Sequence, residues 1–484
     1  MLKCFYFCMD LITTKRYMPW LVASALFMEQ LDSTIVNTAI PAMADSLGTS
    51  PLSLKAAVSG YLLSLAVCIP VSGWLAERFG SRRIFLLAVA LFTASSMVCG
   101  LAVNSTMLIA ARILQGIAAA MMIPVGRIAI VRTFPKGELL RAMNFVIIPA
   151  LLGSLLGPTV GGLIVHWLSW HYIFFINVPV GLLVLWFARR YMPDYRSETP
   201  GPLDVRGWLL FVSGVGVLSW LLEIFGEHKL STGQVLGLLV VSLALLAGYG
   251  GHALRVPFPL LRLALLSTRT FRVSVLGGFI TRLGAGGMPF LLPLFYQLGL
   301  GLPVWQSGLL MAPAAAAAMS MKVISSTMLR RFGYRRVLIA NTMLLACTIA
   351  SYAMIGSGTP IFVIVLIGLL MGLFNSLQYA SLNSMAYADI GSAETAMAST
   401  MASTMQQMSL SFGLACGSLV TGFYLADLAQ TDQVAVTAAL HFAFLTLAGL
   451  TLLSSLSFWT LRPHDGESVS RGTASHPNDL KNRI

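Results

Sequence analysis

Arg78-Phe79-Gly80-Ser81-Arg82-Arg83 returns, with one position changed, as Arg331-Phe332-Gly333-Tyr334-Arg335-Arg336. The two copies lie 253 residues apart. Each sits between two long apolar runs, so the basic turn and its flanking helices are repeated together. Adding the same offset to the apolar runs 19–41, 107–131 and 141–165 lands on the runs 271–298, 359–386 and 396–425. Two six-helix halves therefore repeat in parallel, an arrangement that places a transport path between the halves.

The runs themselves identify the solvent. The chain has 484 residues, of which 57% are hydrophobic and only 10% charged, and a mean hydropathy of +0.81. A water-soluble domain does not carry that composition. A helix that crosses the hydrocarbon core needs about 20 apolar residues, and such stretches recur at 19–41, 53–75, 84–103, 107–131, 141–165, 172–191, 207–226, 233–254, 271–298, 304–327, 337–355, 359–386, 396–425 and 438–461. No alternating barrel pattern is present. The expected fold is an all-α integral membrane protein of fourteen helices arranged 6+2+6.

Its expected parts are a cytoplasmic segment 1–18, a six-helix bundle 19–191, a linker 192–206, two inserted helices 207–254 and a linker 255–270. A second bundle 271–461 and a disordered cytoplasmic tail 462–484 follow. No signal peptide is read at the start, where Asp10 interrupts a short apolar run.

The formal net charge is +13, but its placement argues against a nucleic-acid partner. Of the 31 basic residues, 25 fall in the termini and in alternate loops, while the opposite loops hold only Lys55 and Lys229. The positive-inside rule then puts both termini in the cytoplasm. The six cysteines and seven histidines form no metal-ligand spacing or catalytic cluster, and no nucleotide-binding loop is present, so neither a metal, a cofactor nor an enzyme is expected.

Several motifs resemble the fourteen-helix drug:proton antiporter branch of the major facilitator superfamily, the EmrB/QacA-type exporters. The first helix reads Leu31-Asp32-Ser33-Thr34-Ile35-Val36-Asn37-Thr38-Ala39-Ile40-Pro41. The loop Gly73-Trp74-Leu75-Ala76-Glu77-Arg78-Phe79-Gly80-Ser81-Arg82-Arg83 is similar to the superfamily's cytoplasmic gating loop, with Glu77 where that loop usually has Asp. Arg112-Ile113-Leu114-Gln115-Gly116 resembles the proton-coupling motif, and Gly153-Ser154-Leu155-Leu156-Gly157-Pro158-Thr159-Val160-Gly161-Gly162 the antiporter motif. Trp170 to Gly181 resembles the lead into span six. Arg282-Leu283-Gly284 with Pro289-Phe290 resembles the MdtD-like members of the branch.

The resemblance implies a secondary transporter of the bacterial cytoplasmic (inner) membrane that exports drugs or amphipathic small molecules in exchange for protons. The proton gradient would be its only energy source, and lipid, protons and the small-molecule substrate its partners, with the chain acting as a monomer. Export of an endogenous metabolite or metal chelate, or a transporter-like sensor without flux, stay open as alternatives.

A charged residue at the bilayer centre costs on the order of 2.5–3.5 kcal/mol, so one found there usually faces a partner or a path. Asp32 and Arg112 differ in depth by about 6 Å at 1.5 Å per residue, close enough to pair. Two readings of that pair stand: Asp32 carries the coupling proton while Arg112 tunes its affinity, or the two form a fixed ion pair that sets helix register. Glu29, Asn37, Gln115, Arg282, Asn375 and Gln378 are the substrate-cavity candidates, and Asn383, Gln406 and Gln407 are further polar groups on late spans. Glu29 and Arg282 are related by the 253-residue offset and could present opposite charges to one cavity. Arg127 and Lys322, near cytoplasmic ends, are expected to extend to the interface. Gly73, Glu77, Arg78, Gly80, Arg82 and Arg83, with Arg331, Gly333, Arg335 and Arg336, are the expected gate. Gly153, Gly157, Pro158, Gly161 and Gly162 are expected to permit close helix approach and movement between halves.

Overall fold

The structure is a computed structural model that describes residues 2–134, 136–196, 201–225, 232–391, 394–425 and 433–466. Among these residues the fold is all helical. The first half comprises α1 (Leu2–Ser46), α2 (Lys55–Phe79), α3 (Ser81–Gly100), α4 (Ser105–Thr133) and α5 (Lys136–Trp167). It ends with α6 (Tyr172–Tyr191). An inserted pair, α7 (Val205–Phe225) and α8 (Thr232–Ala253), follows. The second half comprises α9 (Arg269–Gly299), α10 (Val304–Phe332), α11 (Tyr334–Ser351), α12 (Ile361–Met385), α13 (Thr395–Leu425) and α14 (Gln433–Trp459).

Twelve helices among the described residues are long and apolar enough to cross a membrane, or thirteen when α10, bent by 57° around Met321–Ile324, counts as one span. The helix left out is α1, whose middle carries Glu29, Gln30, Asp32 and Asn37 and is correspondingly less apolar. Two sequence-based boundaries shift. The N-terminal segment runs without a break into α1. At the other end the chain stays ordered past Arg462, because Asp465 accepts two bonds from Arg269, at 2.6 and 2.9 Å, and one from the Arg462 amide at 2.9 Å. The remainder of the expected tail, 467–484, lies outside the described residues.

The repeated turns close in the same way. Gly80 and Gly333 have φ of 100° and 76°, and each donates its amide to the last turn of the helix before it, at Ala76 and Leu329. A side chain is strained at such φ values, which accounts for the Phe-Gly identity of the two copies. Each turn also rests on the strand of chain that leaves its half. Ser81 N donates to Tyr195 O and Arg82 N to Asp194 Oδ1, while Gly466 lies against the Tyr334 ring.

The halves meet along two seams. In the α5–α10 seam Thr159 Oγ1 donates to Gly308 O at 3.3 Å. In the α2–α13 seam Ser411 Oγ donates to Ser59 O at 3.2 Å. At the end of the molecule away from the repeated turns, Ile35, Val36, Ala39 and Ile40 of α1 share one buried apolar cluster with Leu291, Leu294 and Phe295 of α9, and Gln297 donates to Thr38 O. That end is shut. The inserted pair packs beside the α2–α13 seam: Trp208 of α7 donates to Val67 O, and Phe211 and Val215 share a cluster with Ala66, Met408 and Phe412.

Candidate functional site

Helices α1, α4 and α6 bring their polar residues to one buried point. Asp32 Oδ2 accepts from Arg112 Nη1 at 2.5 Å. Asp32 Oδ1 accepts from Gln115 Nε2 at 3.0 Å and from Asn177 Nδ2 at 2.7 Å. Arg112 also donates to Gln115 Oε1 at 2.7 Å and to Ala57 O at 3.3 Å. Its guanidinium stacks over the Tyr61 ring, 4.2 Å from the centroid. Asp32, Arg112 and Gln115 are each 0% exposed. Arg112 and Gln115 share a helix face because they are three residues apart. Of the Arg112 guanidinium nitrogens, Nη2 has no hydrogen-bond partner among the described residues.

Two neighbours complete the cluster. Asn177 passes the network on to Ser96 Oγ at 3.0 Å, which bonds Phe174 O. On the other side Tyr61 Oη donates to Glu29 Oε1 at 3.2 Å, and Gln30 Nε2 holds Glu29 Oε2 at 2.6 Å. The sequence reading assigned no role to Asn177, Tyr61 or Ser96. Asn177 left a signal, a lone amide within the apolar stretch 172–191. Tyr61 left none, since an aromatic residue in a membrane helix reads as packing.

A cavity of about 1130 Å³ opens at the end that carries the repeated turns. Gln30, Asn383, Gln406 and Gln407 line it, as do Arg127 and Glu77. None of the six residues expected to face a substrate cavity belongs to this lining. Glu29 and Gln115 are spent on Tyr61, Gln30 and Asp32. Gln378 is tied to Asn341 and Thr342, bonds of 2.8 and 2.9 Å that join α12 to α11. Asn37 is buried beside the shut end, and Asn375 is half-buried on α12 away from the opening. Arg282 is 6% exposed and lies over the Tyr379 ring at 4.5 Å. Glu29 and Arg282 thus remain in their own halves and do not face each other across the opening.

Arg127 is a correction in the opposite sense: it is exposed within the cavity, with no route to the membrane interface needed. The side chain of Lys322 lies outside the described residues. At the gate, Gly73 and Glu77 line the mouth, and Glu77 has no ion-pair partner among the described residues. The turn engages the end of α6 and the chain after it instead: Arg82 donates to Arg189 O in the last turn of α6, and Gly80 abuts Asp194 so closely that a Cβ would lie 2.3 Å from Oδ1. In the second copy, Arg331 lies over Phe332, Arg335 is half-buried and Arg336 is exposed.

The antiporter-motif glycines divide by partner. A Cβ on Gly153 would lie 2.6 Å from Phe27 O, on Gly157 2.0 Å from Thr34 Oγ1, and on Gly161 2.6 Å from Ile35 O. All three seat α5 on α1 within one half. Gly162, 2.8 Å from Val304 O by the same measure, Pro158, whose carbonyl lies against Gly308, and Thr159, which donates to Gly308 O, meet the other half. The expectation that the whole motif serves movement between halves therefore narrows to its C-terminal part.

The mouth is completed by the linkers of the inserted pair. Trp74 Nε1 donates to Gly201 O at 2.8 Å, Arg262 pairs with Glu394 at 3.0 Å, and Asp204 lies 2.7 Å from His252 Nε2. Burial acts to raise the Asp204 carboxyl, but His252 and the amides of Gly207 and Leu260 outweigh it and hold the group below its ordinary value.

Paired helical halves, a buried ion pair and a cavity shut at one end define a transporter. The Major Facilitator Superfamily description matches residues 22–414, and the chain belongs to that superfamily. It is 36% identical over 439 residues to "Putative multidrug resistance protein MdtD" of Serratia proteamaculans (strain 568), covering 91% of this chain and 92% of that one. The protein of the same name from Klebsiella pneumoniae (strain 342) is 37% identical over 449 residues, 93% and 95% of the two chains. In fold, the chain is similar to the POT family transporter PepTSo, with a TM-score of 0.69 at 15% identity over 95% and 99% of the chains. It is also similar to a D-xylose-proton symporter, with a TM-score of 0.66 at 14% identity over 93% and 98%. The relatives and fold neighbours are transporters rather than enzymes.

Proposed function

We propose that this chain is a proton-coupled exporter of drugs or other amphipathic small molecules, an antiporter that works by alternating access in the bacterial inner membrane. The observation that carries the reading is the ion pair Asp32–Arg112, fully buried two residues from Gln30 of the cavity wall. A proton on Asp32 removes the charge that holds Arg112, Gln115 and Asn177, and so loosens the junction of α1, α4 and α6. Protonation and the relative placement of those helices are then linked, as antiport requires.

In this reading α1 also crosses the membrane, its polar middle shielded by α4, α5 and α6, which brings the helices to fourteen. The 25 basic residues put both termini and the open cavity on the cytoplasmic side. The reading takes the chain as a monomer that runs on the proton gradient alone. The relatives named for multidrug resistance support the same cargo class.

The test is dye efflux from proteoliposomes under an imposed proton gradient, with Asp32→Asn beside the native chain. Gradient-driven flux that disappears in Asp32→Asn, with the variant still folded by thermal melting, is the expected result. Equal flux in the variant, or flux that ignores the gradient, sinks the coupling role.

A further inference from the structure

The cavity's charged lining residues are Glu77, Arg127, Arg132, Asp204 and Arg262, and most are already engaged. Arg262 pairs with Glu394, Asp204 with His252, and Arg132 donates to Arg196 O. Two remain without a hydrogen bond or ion pair among the described residues, Glu77 and Arg127. They differ in depth. Glu77 is two residues from the end of α2, at the mouth, whereas Arg127 is six residues from the end of α4, about 9 Å inward at 1.5 Å per residue. Glu29 acts on Arg127 through space, but its carboxylate is 1% exposed and both its oxygens are taken by Tyr61 and Gln30. Beyond Arg127 the wall is neutral, with the amides of Gln30, Gln406 and Gln407 and the hydroxyl of Ser403 beside apolar side chains such as Leu65 and Ile123.

A guanidinium that is exposed in a chamber with a neutral inner wall, and that has no hydrogen bond or ion pair among the described residues, is a recognition group for an anion. From this arrangement we propose that the cargo is an amphipathic organic anion and that Arg127 is the residue that selects it, its carboxylate meeting the guanidinium while its apolar body lies against α2 and α4. The inference rests on the cavity being the cargo chamber. It assigns the sign of the cargo's charge, which the coupling pair does not.

Fluorescein and rhodamine 6G, built on one xanthene core with opposite charge, separate the possibilities when titrated against the full-length chain in detergent by fluorescence anisotropy. The native chain is expected to bind fluorescein more tightly than rhodamine 6G. Arg127→Gln should weaken fluorescein by about tenfold or more, the loss of a charge-assisted contact, and leave rhodamine 6G binding unchanged or tighter. Arg127→Lys should recover part of the loss. A native preference for rhodamine 6G, or unchanged fluorescein binding in a folded Arg127→Gln, overturns the proposal. Displacement of fluorescein by short-chain phosphatidylglycerol at lower concentration than by unlabelled aromatic carboxylates also overturns it, since the site would then hold a lipid headgroup. If binding depends on Arg127 but neither dye moves in proteoliposomes under a proton gradient, the anion site stands and the export reading falls.

Discussion

Asp32 has three donors, and they are not equivalent. Arg112 supplies the charge, whereas Asn177 and Gln115 fix the carboxylate's orientation from α6 and α4. Removing the charge leaves Arg112 buried without a counter-charge, a change that costs about 3–5 kcal/mol in comparable pairs. Asp32→Asn should therefore lower the melting temperature as well as abolish flux, and the doubly neutral Asp32→Asn, Arg112→Gln chain should melt higher than the single variant. Asn177→Ala is the gentler probe. It deletes the 2.7 Å bond but keeps the ion pair, so the chain should fold and transport while the pH at which flux is half-maximal moves. A pH profile identical to that of the native chain would limit Asn177 to packing.

Among the elements, α5 is built to lie on α1. With Thr34 Oγ1 2.0 Å from where a Gly157 Cβ would be, Gly157→Val must push the two helices apart. Overpacking of a tight contact costs about 1–3 kcal/mol or more, and a fall in melting temperature with lower yield is expected. Gly162→Ala acts elsewhere, because its new methyl meets Val304 and Gly308 of the opposite half. It should disturb the shut end rather than the first half, and thus raise the reactivity of a cysteine placed at Thr38 toward a soluble thiol reagent. Comparable thermal losses and no change in labelling for both variants would mean that the motif does not divide as the contacts divide it.

For the molecule as a whole, the halves must separate at the shut end if access alternates. Ser59→Cys with Ser411→Cys spans the α2–α13 seam, where the hydroxyl and carbonyl oxygens are 3.2 Å apart. In a chain whose own cysteines are replaced by serine, oxidation of that pair should stop flux and reduction should restore it. Undiminished flux in the oxidised form would mean that this seam stays closed during transport. A second property concerns the C-terminal staple, where Arg269 holds the Asp465 carboxyl below its ordinary value against the opposing effect of burial. The folded value lies below the unfolded one, so this contribution is complete above the usual carboxylate pKa of about 3.9 and is lost as pH falls through the lowered folded value. Amide exchange across residues 462–466 should quicken only in that acidic window. An Asp465→Asn chain should show fast exchange already at neutral pH.

The solvent, the class of fold and the members of the key pair are legible in the residues alone. Twenty-residue apolar runs, a 253-residue repeat and alternating basic loops are each imposed by the bilayer independently of tertiary detail, and a charge such as Asp32 or Arg112 inside an apolar run demands a partner. The face that each polar side chain presents is set by packing between helices. The spacing along α1 put Glu29 beside Asp32 but could not tell that Tyr61 of α2 would cap it, nor that Arg282 would lie on Tyr379 rather than in the opening. Nor could it tell that Arg127 would face a chamber instead of reaching the interface. Depth in the membrane follows from position along one helix, whereas exposure to the cavity depends on the rotation and tilt of every helix packed around it, and those are set by contacts between segments far apart in the chain.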